Sequence, residues 1–104
     1  MIRVSIMYPA GAGNTFDMNY YCHTHMPMAR RLLGATDASV DQGLAGGAPG
    51  SPAPYLAVGY LIFDSLETFQ NGIAAHGPEL MADIPKYTNA QPVIQIGEVK
   101  PVAA

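Results

Sequence analysis

The chain has 104 residues, which is enough for one domain over residues 1–104 and too few for two independent cores. Apolar residues make up 49% of it and charged residues only 12%, so disorder of the weakly hydrophobic, highly charged kind is excluded. The net charge of −3 and the lack of a basic run argue against a nucleic-acid-binding protein. No apolar stretch approaches the roughly 20 residues of a transmembrane helix, no signal peptide is evident, and the single cysteine has no internal disulfide partner. We therefore expect a cytoplasmic protein that does not bind membranes.

The first predicted element is a strand over Ile2–Tyr8, in which apolar residues alternate with others. A glycine-rich turn ends it. A helix is then predicted from about Thr15 to Leu33, with Asn14 as its N-cap, Asp17 completing a capping box and Gly34 ending it.

A proline inside this helix disturbs it. Pro27 has no backbone N–H to donate to the carbonyl of His23, and its ring clashes with that carbonyl. We therefore expect a kink or a one-residue break near His25.

The middle of the chain contains two predicted strands and a loop. A strand is predicted within Ala35–Leu44. Gly43–Pro54 contains four glycines and three prolines and is predicted to be a loop. Tyr55–Phe63 is apolar on both faces, which predicts a strand that is covered on both sides.

The last third is predicted to hold a second helix and a final strand. Asp64 is the predicted N-cap of the helix, and Gly77-Pro78 is predicted to interrupt it. A short helical turn over Glu79–Ile84 and a strand over Pro92–Val99 follow.

This order, β-α-β-β-α-β, predicts an α+β, ferredoxin-like fold with a four-stranded antiparallel sheet. Two helices cover one face of such a sheet and leave the other bare. Because Tyr55–Phe63 carries large apolar groups on both sides, the bare face needs a cover, and a homodimer that packs sheet against sheet is the simplest one. Such a dimer would also enclose a space beside the sheet.

The most informative candidate site is the pair Tyr21 and His25, which lie one helical turn apart on one face that Met28 continues. This stripe is either part of the core or the polar end of a pocket. His25 is a candidate proton donor or acceptor, since histidine titrates near neutrality, and Tyr21 would orient it.

Three further residues are candidates for contact with a small molecule. His76 ends a predicted helix, where it either stabilises the helix dipole or lines the pocket. Tyr87 lies in a polar linker that is either a surface connection or part of the site. Tyr60 lies on the predicted strand Tyr55–Phe63, which is apolar on both faces. It is a candidate for the wall of the pocket, with its hydroxyl as a polar tip.

Cofactor sites are poorly supported by the sequence. Gly11-Ala12-Gly13 precedes a helix but lacks the rest of a dinucleotide or P-loop motif. His23 and His25 point about 200° apart on a regular helix and cannot share a metal ion. We therefore expect no cofactor and no metal. Haem binding through His25 or His76 is kept as an alternative to this expectation.

Several of these residues together form a pattern that resembles the EthD family, which is named for a protein linked to ethyl tert-butyl ether degradation. The resemblance covers nearly the whole chain, from Ile2 to Val99. It rests on Phe16-Asp17, Tyr20-Tyr21, His25, Pro27, Tyr87-Thr88-Asn89 and the C-terminal segment Ile94–Val99.

The resemblance implies a homodimer of the dimeric α+β barrel superfamily. Its members include cofactor-free monooxygenases, polyketide cyclases, lactone isomerases and haem-handling enzymes. By this resemblance Tyr21, His25 and Pro27 occupy family-motif positions, with His25 and Tyr21 as the catalytic candidates.

Two functions remain open. The leading hypothesis is a cofactor-independent oxidoreductase, or another proton-transfer enzyme such as a cyclase or isomerase. It would hold a small hydrophobic or aromatic compound in a pocket between the first helix and the open sheet face, as part of the degradation of organic compounds. The alternative is a non-catalytic accessory protein that holds such a compound for an oxygenase.

Overall fold

The architecture is a four-stranded sheet with two helical segments on one face. The computed structural model describes all residues, 1–104. In chain order its elements are β1 (Ile2–Pro9), α1 (Met18–Tyr20), a π-helical turn (Tyr21–His25), α2 (Met26–Leu33), β2 (Asp37–Gln42), β3 (Tyr55–Phe63), α3 (Leu66–Asp83), a 3-10 turn (Ile84–Lys86) and β4 (Val93–Glu98).

The sheet has the order β2-β3-β1-β4, and all neighbouring strands are antiparallel. This arrangement confirms the predicted α+β, ferredoxin-like fold. In the register of the sheet, Val4 of β1 lies opposite Leu61 on one side and Ile96 on the other. The two central strands therefore present their apolar positions to the same face.

The core lies between that face and the helices. Val4 and Tyr8 of β1 are almost fully buried, as are Leu61 and Phe63 of β3. Leu33 of α2 packs into the same cluster from the helical side. Alternation along β1 and β3 thus selects which side chains enter the core.

The first helix begins later than predicted. Asp17, and not Asn14, is the N-cap, and its side chain accepts a hydrogen bond from the backbone N–H of Tyr20. Asn14 instead donates its side-chain amide to the carbonyl of Pro9 and stabilises the preceding turn. Both residue types cap helices and turns, so residue type alone does not distinguish them.

The N-cap of the second helix is Ser65 instead of the predicted Asp64. The Ser65 side chain accepts a hydrogen bond from the N–H of Thr68. The predicted interruption at Gly77-Pro78 is also wrong, because α3 continues through Pro78 to Asp83. The missing hydrogen bond is offset by packing on both sides of the proline, since Gly77 and Leu80 are buried.

Near Pro27 the helix widens into a π-helical turn and does not break. Tyr21–His25 forms a single π-helical turn, and the N–H of Met26 donates to the carbonyl of Tyr21, five residues back. One extra residue in this turn accommodates the proline without ending the helix. No helix in the structure combines the length and the hydrophobicity of a bilayer span.

The opposite face of the sheet has no cover within the chain. Met7 of β1 lies beside Val58 of β3 and Val93 of β4 on this face. Met7 and Val58 are half-buried, and Val93 is 52% exposed. The predicted strand up to Leu44 also ends earlier, at Gln42, and Leu44 is exposed in the following loop.

Candidate functional site

The central feature of the site is a hydrogen-bonded pair, His25 and Asp83. His25 is the last residue of the π-helical turn and Asp83 is the last residue of α3. Nδ1 of His25 lies 2.9 Å from Oδ2 of Asp83, and both residues are buried. The two helical segments thus meet through an imidazole and a carboxylate.

The second oxygen of Asp83 has two further partners. The Tyr20 hydroxyl donates to Oδ1 at 2.8 Å, and Nζ of Lys86 lies 3.6 Å from the same oxygen. The carboxylate thus has two hydrogen-bond donors and a nearby ammonium group, and such partners are the condition for keeping a buried charge.

These contacts also assign the protonation of the pair. Burial lowers the pKa of His25 below its usual 6.5, although the hydrogen bond from its ring to Asp83 partly opposes this effect. Burial raises the pKa of Asp83, but the hydrogen bonds from His25 and Tyr20 outweigh it, so the pKa is lowered overall. At neutral pH we therefore assign a neutral imidazole beside an ionised carboxylate.

An ionised Asp83 fixes the tautomer of His25. The carboxylate can only accept, so Nδ1 carries the proton. Nε2 then has a free lone pair, and no group of the chain donates a hydrogen bond to it. Because the His25 ring forms part of a cavity wall, Nε2 is the nitrogen available to a ligand.

Aromatic rings surround the imidazole. The rings of Tyr21 and His25 stack at 14°, with centroids 5.6 Å apart. The Tyr87 ring lies 4.6 Å from His25 on another side. The hydroxyls of Tyr87 and Tyr8 are hydrogen-bonded at 2.6 Å, so Tyr87 is itself held in place.

The Tyr21 hydroxyl is buried and has no hydrogen-bond partner. It lies directly over Gly59 of β3, where any side chain would collide with it. Tyr21 therefore contacts His25 through its ring and not through its hydroxyl. Burial raises the pKa of Tyr21, so its hydroxyl stays protonated at neutral pH.

A cavity of about 260 Å³ lies between the helices and the sheet. Apolar side chains make up most of its wall, and His25 is the one ionisable residue of the wall besides the tyrosines Tyr8 and Tyr21. Ile73, Met81 and Ile94, three wall residues that are 40–71% exposed, mark its connection to the surface. Its size and apolar character suit a ligand somewhat smaller than a typical drug.

The structure brings together three of the six predicted site residues. His25, Tyr21 and Tyr87 form one cluster. Tyr60 lies on the opposite face of the sheet, because its neighbours Gly59 and Leu61 point towards the helices. The expected pocket between the first helix and the open sheet face would have included Tyr60, whereas the cavity beside His25 lies between the helices and the other face of the sheet.

The other two predicted residues lie away from the cavity. Met28 is half-buried and packs against the core without lining the cavity. His76 is near the surface, where Nδ1 lies 3.1 Å from a carboxylate oxygen of Glu79. One turn of helix separates these two partners.

Asp83, the hydrogen-bond partner of His25, was not among the residues predicted from the sequence. A usable signal existed, since Asp83 follows Leu80 by three residues and so shares its helix face. The signal was hidden by the predicted interruption at Gly77-Pro78, which separated this segment from the rest of the helix. No group of three or more His, Cys, Asp or Glu side chains is placed to hold a metal ion.

Comparisons with known proteins agree with this architecture. The EthD domain family matches residues 11–91. The chain is similar to an EthD-like protein from Ralstonia eutropha JMP134, with 43% identity and a TM-score of 0.88 over 93% of this chain and 89% of that one. No curated protein matches the chain.

Two further solved structures have low sequence identity to this chain and are similar to it in fold only. One is an ethyl tert-butyl ether (EthD) family protein from Bacillus halodurans C-125, with 21% identity and a TM-score of 0.65 over 96% of this chain and 99% of that one. The other is HapK from Hahella chejuensis, with 12% identity and a TM-score of 0.56 over 98% of each chain.

Proposed function

The chain belongs to the EthD family, and we propose that it binds a small, largely apolar compound in the His25 cavity and removes a proton from it. The observation that supports this proposal best is the imidazole itself. Asp83 holds its Nδ1, which leaves the basic Nε2 for a ligand in a wall made mostly of hydrocarbon.

The proton transfer follows from this arrangement. An acidic O–H or C–H group of the ligand gives its proton to the lone pair of Nε2, and the bonding electrons stay on the ligand as an anion. The imidazolium that forms is stabilised by the Asp83 carboxylate 2.9 Å from Nδ1. The stacked Tyr21 ring keeps the imidazole in one orientation during the transfer.

Two reaction classes share this first step. An electron-rich anion can react with dioxygen, which is the route of a cofactor-independent monooxygenase in the degradation of organic compounds. Alternatively, the proton returns to another atom of the ligand, as in a cyclase or an isomerase. Because both begin at Nε2, the first experiment addresses that atom.

The decisive variant is His25→Asn. Its side-chain N–H₂ can still donate to Asp83, while the atom equivalent to Nε2 is removed. We expect the variant to fold and to lose at least tenfold in affinity for, or turnover of, a neutral phenolic probe such as 2-naphthol. Calorimetry gives the affinity, and oxygen consumption or product analysis gives the turnover.

The pH profile provides the matching control. Nε2 acts as a base only when His25 is neutral, and burial holds the pKa of His25 below 6.5. Activity or binding should therefore be full above pH 6.5 and fall as the pH is lowered through that pKa. A flat profile between pH 5 and 8, together with unchanged binding in His25→Asn, would instead support a non-catalytic accessory protein.

We also propose that the protein acts as a homodimer through the uncovered sheet face. Its accessible surface is 6469 Å², whereas a folded monomer of this size exposes about 5,600 Å². The excess is similar to the roughly 800 Å² that each partner buries in a standard interface. The row of Met7, Val58 and Val93 supplies an apolar centre for such an interface.

A further inference from the structure

A second concavity, which we call the arginine groove, lies on the other side of α2. It runs between α2 and the edge strand β2 and has a volume of about 690 Å³. Met26 forms part of its wall and also part of the wall of the His25 cavity. The two spaces are therefore separate neighbours, and the proposed proton transfer does not use the groove.

The charge of the groove differs from that of the rest of the molecule. The chain has a net charge of −3 and only five basic side chains, yet Arg30 and Arg31 both line this groove, and no acidic residue does. Lys86 and Lys100 each have a carboxylate within 4 Å, whereas neither arginine forms such an ion pair.

The two arginines differ in how they are held. Arg30 donates from Nη2 to the carbonyl of Thr36 at 2.9 Å, which ties its guanidinium to the turn between α2 and β2. Arg31 makes no hydrogen bond and is exposed. Both arginines lie in the last turn of α2, where a positive charge is favoured, but only Arg30 is held by a hydrogen bond.

Apolar side chains form the floor between the arginines and the strand. Met26, Ala35, Ala38 and Val40 supply it, and the last three are half-buried. A purely inorganic anion would use the guanidinium groups and leave this floor in water. An anion with an apolar body would use both features.

We propose that the arginine groove binds a small carboxylate with an apolar body. The carboxylate lies against Arg31 and the free nitrogens of Arg30, which match its planar geometry. The body rests on the floor of Met26, Ala38 and Val40. The volume of the groove lies within the roughly 300–1,000 Å³ of small-molecule sites.

The test uses 2-naphthoate titrated by calorimetry into the full chain. We expect Arg31→Gln to weaken its binding about tenfold and Arg31→Lys, which keeps the charge, to recover part of the loss. The matched control is Arg3→Gln, which makes the same change in net charge on the uncovered sheet face and should leave the affinity unchanged. Raising the salt from 50 to 500 mM should weaken binding, since the site is exposed.

A second measurement locates the probe independently of the arginines. Chemical-shift changes on 2-naphthoate binding should centre on the methyl groups of Ala35 and Ala38. His25→Asn should keep this binding, even if it loses 2-naphthol, so the two proposals succeed or fail separately. Absent binding, an affinity unchanged in Arg31→Gln, or shifts centred on the His25 cavity would each overturn the proposal.

Discussion

Asp83 is the residue that binds the ring of His25 through a hydrogen bond. It accepts hydrogen bonds from His25 and Tyr20 at 2.9 and 2.8 Å, and its presence raises the pKa of His25 against the effect of burial. His76 and Glu79 form a similar pair on the surface. The two pairs differ in burial, since the side chains of His25 and Asp83 are 8% and 9% exposed and those of His76 and Glu79 are 35% and 61% exposed.

The replacement Asp83→Asn tests this dependence. It keeps the shape but removes the charge, so we expect the pKa of His25 to fall further. The free energy of unfolding should drop by about 1–2 kcal/mol, because two hydrogen bonds lose their charged acceptor. An NMR titration of His25 and denaturant unfolding measure the two effects.

Glu79→Gln is the matched control for that replacement. It makes the same chemical change in the exposed pair and should alter the free energy of unfolding by less than about 0.5 kcal/mol. Equal losses in the two variants would mean that burial does not strengthen the His25–Asp83 pair.

The contact of Tyr21 with Gly59 is the second feature at the residue scale. We expect Gly59→Ala to lower the free energy of unfolding by about 1–3 kcal/mol, because its new methyl group meets the Tyr21 hydroxyl. Tyr21→Phe alone should change it by less than about 1 kcal/mol, since that hydroxyl has no partner.

The double variant separates this contact from other effects. Removing the hydroxyl in the Gly59→Ala background should recover much of the loss, although Met26 Cε also lies 3.3 Å from the added carbon. Strictly additive effects in denaturant unfolding would show that the hydroxyl and Gly59 do not interact.

At the scale of elements, α3 shows how one helix uses two glycines differently. A Cβ on Gly72 would lie 2.9 Å from the Cα of Leu33, whereas the nearest atom to a Cβ on Gly77 is a methyl group of Ile73 at 3.5 Å. Gly72 thus sets the distance between α2 and α3. Gly77 does not limit how closely another element packs against α3, because a Cβ there would meet only Ile73.

Alanine at each position tests this difference. Gly72→Ala should lower the free energy of unfolding by about 1–3 kcal/mol, since the backbone of Leu33 cannot move aside cheaply. Gly77→Ala should raise it by about 0.5–1 kcal/mol through better helix propensity. Thermal or denaturant unfolding measures both, and shifts of the same sign would contradict this account of α3.

At the scale of the whole molecule, the uncovered face of the sheet predicts self-association. Val58→Lys puts a charge at the centre of the proposed interface, beside Met7. We expect the wild-type chain to sediment as a dimer at micromolar concentration and the variant as a monomer, because the lysine would be buried in the interface with only Asp41, its cross-strand neighbour, to pair with. Analytical ultracentrifugation distinguishes the two.

Gln70→Lys provides the control for that prediction. Residue 70 is exposed on α3, which covers the opposite face of the sheet, so this lysine should leave the dimer intact. A wild-type chain that is already a stable monomer would remove the basis for the proposed dimer.

The sequence by itself determined the order of the elements and therefore the fold. Alternation in Ile2–Tyr8 and the short continuous apolar run Tyr55–Phe63 both predict strands, and Gly34 ends a helix because it can adopt a positive φ, here 76°. The pair Tyr21 and His25 was visible for the same reason, since one helical turn brings them together. Local spacing and backbone chemistry are sufficient for features of this kind.

Only the tertiary structure decided which groups meet across the fold. Asp83 reaches His25 over 58 positions of sequence, through a helix that continues past Pro78 because packing on both sides offsets the lost hydrogen bond. The face of the sheet that carries the cavity, and hence the separation of Tyr60 from His25, depends on where the helices pack. Such contacts depend on three-dimensional packing, which spacing along the chain does not encode.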